Sequence, residues 1–176
     1  MLYLTLLLGA LLFAGVAMTI NEGLWSNTIS LLLIMIAGLM ALVGGIPLGT
    51  WGLAQTGQDV SFTWYYVFAS IWVVFYLSLT LMRVVADRVS CTQVRFLPII
   101  DKIAGPLMGA FVAIMFTSFA AFTLWRVPIM AGEWDRAKAS ETQISAFSYA
   151  QTPFYNVAKS FLKSEDIDSP LIPVGK

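Results

Sequence analysis

The chain has 176 residues, of which 59% are hydrophobic and 11% charged, with a mean hydropathy of +0.80, a balance that no soluble domain with a wetted surface shows. Ten basic and ten acidic residues cancel, so no basic field draws nucleic acid or an acidic partner. With no histidine and a single cysteine, Cys91, most transition-metal sites, haem axial pairs, histidine-based triads and any intramolecular disulfide are excluded; the composition argues against an enzyme and leaves no cofactor to expect.

Apolar runs over 2–20, 26–48, 64–82 and 97–125 each reach the roughly 20 residues a helix needs to cross a hydrocarbon core. None alternates with the period of a barrel strand, and a backbone in lipid must satisfy its own amides. The expected fold is all-α: an integral membrane four-helix bundle over 1–127, then an extramembrane tail over 128–176. The expected first partner is therefore the lipid bilayer.

The first run has no charge before Glu22, so it lacks the basic n-region of a secretory signal and is read as a retained helix, although Ala17 and Thr19 mimic a cleavage site. Asn21-Glu22-Gly23 is so short a connection that the first two helices are expected to be antiparallel neighbours. Ser26 and Asn27 are both candidate N-caps for the second helix. That run closes on Gly44, Gly45, Pro47 and Gly49, and the stretch to Asp59 reads as an interfacial loop. Trp51, Trp64, Tyr65 and Tyr66 fit an aromatic belt.

The third run ends at Arg83, with Asp87, Arg88, Arg95 and Lys102 following around Cys91. Basic residues in so short a loop point to the cytoplasm and place both chain ends outside, although Arg126, Arg136 and Lys138 weaken the asymmetry. Arg83 and Asp87 are four apart and can pair on an extension of the third helix. An alternative is a cytoplasmic polar cluster in which Asp87 and Asp101 share Arg88, Arg95 or Lys102. Cys91, beside these cations, reads as an inert loop thiol rather than a reactive one.

The fourth run opens on Asp101-Lys102, an acid at a positive helix end beside a snorkelling lysine. Pro106 is tolerated if the helix begins near Ile103 or Ala104, where a proline falls in the first turn. Gly105 and Gly109 put two small residues on one face; packing inside the bundle is the leading reading and an oligomer seam the other. In the tail, Thr152-Pro153 resembles an N-cap with proline at N1, and Phe154, Val157, Ala158 and Phe161 recur at helical spacing, which predicts an amphipathic helix over 153–163. It lies on the membrane, folds back onto the bundle or binds a partner helix. Residues 164–176 look extended and flexible.

The turn at Glu22-Gly23, the charged loop after the third helix, and Asp101-Lys102-Ile103-Ala104-Gly105-Pro106-Leu107-Met108-Gly109 together resemble the CvpA (colicin V production) family of bacterial inner-membrane proteins over roughly residues 1–135. Asp101, Gly105 and Gly109 match the family's acid and paired glycines. Lys102 stands where an arginine is typical, Pro106 follows the first glycine, and Ala110 and Phe111 stand where a further basic residue often occurs. The resemblance implies a multi-pass protein of the bacterial cytoplasmic membrane, needed for colicin V production or export and tied to envelope integrity. A scaffold or export-associated factor is thus the first functional expectation. The alternatives are a small oligomeric channel lined by Ser78, Thr80, Thr117 and Ser118, or an accessory subunit of a larger membrane complex.

Overall fold

The computed structural model describes residues 2–57, 62–89, 98–127 and 140–162. They form five helices: α1 (Leu2–Thr19), α2 (Leu24–Thr56), α3 (Thr63–Val89), α4 (Pro98–Arg126) and α5 (Glu141–Phe161). Among the described residues, three segments are long and apolar enough to cross a membrane, Leu24–Thr56, Thr63–Val89 and Asp101–Arg126. α1, at 18 residues, spans about 27 Å.

α2 corrects the sequence reading twice. It starts at Leu24, with Gly23 as N-cap, so neither Ser26 nor Asn27 caps it. It also runs through Gly44, Gly45, Pro47 and Gly49 to Thr56 and stops at Gly57, whose φ of 62° is the left-handed terminator. The glycines do not break the helix because α3 packs onto them. A Cβ on Gly45 would stand 2.6 Å from the Ile71 Cα, and one on Gly49 2.6 Å from the Val67 Cα. Ala37 and Ala41, both fully buried, continue the same four-residue stripe, and the two backbones close along it. Asp59 lies outside the described residues.

The antiparallel α2–α3 pair is the tightest in the fold. α4 runs parallel to α2 on its other side, and α1 packs antiparallel on α4. α1 is therefore consecutive with α2, but its packing partner is α4, contrary to the neighbour relation that the short turn suggested. α3 and α4 meet through rings: Phe75 stacks on Phe119 with centroids 4.4 Å apart, and Trp72 meets Phe116 and Phe119 at 6.1 and 5.4 Å.

Pro106 sits well inside α4, and the first helical position falls to Pro98. The helix continues past Pro106 although that residue has no N–H to offer the Lys102 carbonyl.

α5 is longer than expected and begins earlier. Ser140 is its N-cap, in a capping box with Gln143, so Thr152-Pro153 is interior rather than a helix start. Its apolar face folds back onto the other helices. Phe154 is fully buried against Phe119 and Phe122 and lies close to Gly38, where a Cβ would be 2.5 Å from the ring. Phe147 stacks on Trp125 at 5.7 Å. At the proline, the Phe154 N–H donates to Ser118 Oγ at 2.8 Å, which ties α5 to α4 where the helical ladder is interrupted. Residues 164–176 lie outside the described set.

Candidate functional site

The polar groups of the fold gather at the end where α1 finishes, α2 and α4 begin and α3 finishes. Backbone ends create the demand there, because the first N–H groups of α2 and the last carbonyls of α1 have no partner within their own helices. The sequence answers with side chains from the facing elements.

Asp101, in the first turn of α4, accepts the Leu24 N–H through Oδ1 at 2.7 Å. One carboxylate thus stands at two positive helix ends, its own and that of α2. Asn27, fully buried, shares the two Nδ2 hydrogens among the carbonyls of Thr19 at 3.0 Å, Glu22 at 3.3 Å and Gly105 at 3.0 Å. One carboxamide therefore joins the end of α1, the turn and α4. Its Oδ1 is buried without a hydrogen-bond partner. Thr19 Oγ1 lies 2.8 Å from the Gly15 carbonyl and 2.9 Å from that of Gly109, and its single hydrogen can be donated to either.

The glycine pair makes this approach feasible. A Cβ on Gly109 would stand 2.8 Å from the Thr19 carbonyl oxygen, and one on Gly105 3.1 Å from that of Glu22. The pair therefore faces the α1–α2 turn inside the chain, which is the packing reading; the same glycines are not presented as an oligomer seam.

A second polar chain links α2 to α3. Glu22 Oε2 accepts from Ser26 Oγ at 2.8 Å, Arg83 reaches Ser30 Oγ at 2.8 Å and Ser26 Oγ at 3.4 Å, and Arg83 Nε pairs with Asp87 at 3.2 Å. The expected Arg83–Asp87 pair is present. Asp101 turns to the α2 terminus. Arg88 is exposed in the last turn of α3, and Arg95 and Cys91 lie outside the described residues.

Lys102 lies exposed on the rim of an open cleft of about 460 Å³ between the α1–α2 turn and the start of α4, walled also by Glu22, Gly23, Asp101 and Pro106. Among the described residues, no group of three His, Cys, Asp or Glu is placed to hold a metal ion.

The four residues considered as a channel lining differ in exposure. Ser78, Thr117 and Ser118 are buried inside the chain, Ser118 is taken by the Phe154 amide, and Thr80 faces outward.

Reading the sequence for ionisable groups within the spans missed Asn27, weighed only as a cap, and Thr19. The available signal was an amide side chain three residues into an apolar helix, where burial is costly unless hydrogen bonds repay it.

No protein-family model, curated protein or solved structure matches the chain.

Proposed function

We propose that the chain is a multi-pass protein of a bacterial cytoplasmic membrane that works as a helical scaffold of the CvpA kind, an export- or envelope-associated factor with no chemistry of its own. The supporting observation is where its polar groups are spent. Asp101, Gly105 and Gly109, the residues that carry the resemblance, lock α4 onto the α1–α2 turn. The α3–α4 interface is filled by the Phe75–Phe119 stack. Such an interior favours a rigid platform over a conducting path.

Disruption of the coding sequence in a colicin V-producing strain tests this reading. Loss of secreted colicin, with greater sensitivity of the envelope to detergent, is the expected result, and restoration by the intact chain ties both to it. Normal colicin release together with ion conductance of the purified chain in liposomes would overturn the scaffold reading in favour of the channel.

A further inference from the structure

α5 lies against α4 in the reverse direction. Phe147 stacks on Trp125, and seven residues further along α5 the Phe154 N–H donates to Ser118, seven residues back along α4. Trp125 and Arg126 close α4 as an aromatic and basic pair of the kind that anchors at a membrane interface. With α2, α3 and α4 read as spanning, α5 descends from that interface instead of lying along it, and Phe154 meets Gly38 in the middle of α2. A helix advances 1.5 Å per residue. Asn156 and Lys159, nine and twelve residues past Phe147, therefore stand about 13 and 18 Å below Trp125, in a hydrocarbon layer about 30 Å thick.

The face that α5 turns outward at this depth is polar. Ser145, Ser148, Thr152, Asn156, Lys159 and Ser160 recur on one side of the helix, and all are exposed. On α3 the outward residues between the levels of Ile71 and Arg83 include Val73 and Leu77, which acyl chains accept. Two hydroxyls of the α5 stripe are satisfied within the helix: Thr152 Oγ1 donates to the Ser148 carbonyl at 2.8 Å and Ser160 Oγ to that of Asn156 at 2.9 Å. The Asn156 carboxamide and the Lys159 ammonium are different, because acyl chains leave an amide and a charge unsolvated. Lys159 Nζ has the Tyr155 ring at 5.8 Å, a contact that does not replace the hydration of an ammonium. A second copy in the same orientation does not supply it either, since a two-fold axis along the membrane normal sets Lys159 against its own counterpart. Water does. The stripe continues to exposed Glu141 at the start of α5, so it is open to the aqueous side there. At the other end α5 stops at Phe161, about 21 Å below Trp125 against about 30 Å for Gly105.

We propose that α5 enters the membrane beside α4 with its outer face wetted, forming a hydrophilic recess that opens where α4 ends and closes before the α1–α2 turn. The depth of the recess rests on the membrane reading above. Because the recess is blind, it leaves the scaffold reading intact.

The test uses the full chain in membrane vesicles, with Cys91→Ser as background and single-cysteine variants probed with a charged, water-soluble methanethiosulfonate, which reacts with a thiolate that water reaches. Ser148→Cys, Thr152→Cys and Asn156→Cys should be modified about tenfold or more faster than Val73→Cys and Leu77→Cys, and from one side of the vesicle membrane only. Ala158→Cys, on the buried face of α5, should stay slow. Stripe variants as slow as the α3 pair would overturn the proposal, and a disulfide between copies at Asn156→Cys with slow modification would overturn it in favour of a packed second copy. If Ala158→Cys reacts as fast as the stripe, α5 stands off the bundle in water and is not inserted. Reaction from both sides turns the recess into a through path and takes the scaffold reading with it. Fast reaction at Val73→Cys and Leu77→Cys as well removes the membrane reading itself, an outcome distinct from the failure of α5 alone.

Discussion

The Asp101 carboxylate accepts the Leu24 amide at 2.7 Å across 77 residues of sequence. A side chain in the first turn of α4 thereby supplies the cap that α2 lacks, since its own N-cap, Gly23, has no side chain to give. Asp101→Ala should destabilise the fold by about 1–2 kcal/mol, the usual cost of losing a cap at a positive helix end. Asp101→Asn keeps an acceptor and loses the charge, so it should fall between alanine and wild type. Unfolding by SDS in mixed micelles measures both, and an alanine variant as stable as wild type would refute the capping role.

The glycines divide into two sets with opposite expected responses. At Gly45, Gly49 and Gly109 a Cβ meets backbone at 2.6–2.8 Å, so alanine forces helices apart and should cost about 1–3 kcal/mol. At Gly44 and Gly52 the nearest atom is a side-chain carbon at 3.6 Å, an ordinary contact. Alanine there should be neutral or stabilise by up to about 1 kcal/mol through helix propensity. The same denaturation series checks both sets, and the ordering is lost if all five substitutions behave alike.

Asn27 presents a donor to three carbonyl oxygens, which makes aspartate a sharper probe than alanine. Asn27→Ala should cost about 1–2 kcal/mol. Asn27→Asp should cost more near neutral pH, because an ionised carboxylate has no hydrogen to offer those oxygens. Protonation restores a donor, so the deficit of this variant should shrink on acidification. Denaturation midpoints of wild type, Asn27→Ala and Asn27→Asp across an acidic pH series settle it; a deficit in the aspartate variant that stays constant or grows on acidification contradicts the donor role.

Much of the helical layout was legible in the sequence because length and apolarity alone decide it. The runs 2–20, 64–82 and 97–125 lie close to α1, α3 and α4. Two of the misreadings share one cause, which is that local signals were outvoted by distant partners. Glycine and proline near residue 47 are helix breakers in isolation, yet α3 holds that segment helical by closing onto it. Thr152-Pro153 imitates a helix start, but the Ser118 hydroxyl takes the Phe154 amide at the proline break and the helix runs through. At the candidate site, Asp101, Gly105 and Gly109 stood out by type and spacing. Asn27 and Thr19 did not, because their importance comes from carbonyls that only the folded turn brings within reach.

The Arg83–Asp87 pair, although visible from its spacing, should matter little. Its side chains are 39% and 64% exposed, and water and salt screen an exposed i,i+4 pair to a few tenths of a kcal/mol. Asp87→Asn is expected to change stability by less than about 0.5 kcal/mol. Arg83→Ala should cost more, because it also removes the link to Ser30 on α2 at 2.8 Å. Equal losses in the two variants, measured in the same detergent, would show that the arginine acts only through its acid.

α5 should come away without the rest of the structure following. Its hold includes Phe154 among Phe119 and Phe122, Phe147 against Trp125, the Phe154 N–H on Ser118, the Arg126 guanidinium over the Tyr155 ring and the buried Ala158, whereas Tyr149 is 80% exposed and Phe161 71% exposed. Phe154→Ala removes a fully buried ring, a change that costs about 3–5 kcal/mol in a cooperative core. Here the loss should fall on α5 docking, because α2–α3 and α1–α4 keep their own seams. Hydrogen exchange is expected to show lost protection over 141–161 with the amides of α2 and α3 unchanged. Ser118→Ala should act in the same direction and more weakly, by about 1 kcal/mol, as it leaves the amide beside Pro153 without its acceptor. If exchange rises throughout the chain in Phe154→Ala, α5 is part of the cooperative core rather than a separately docked element.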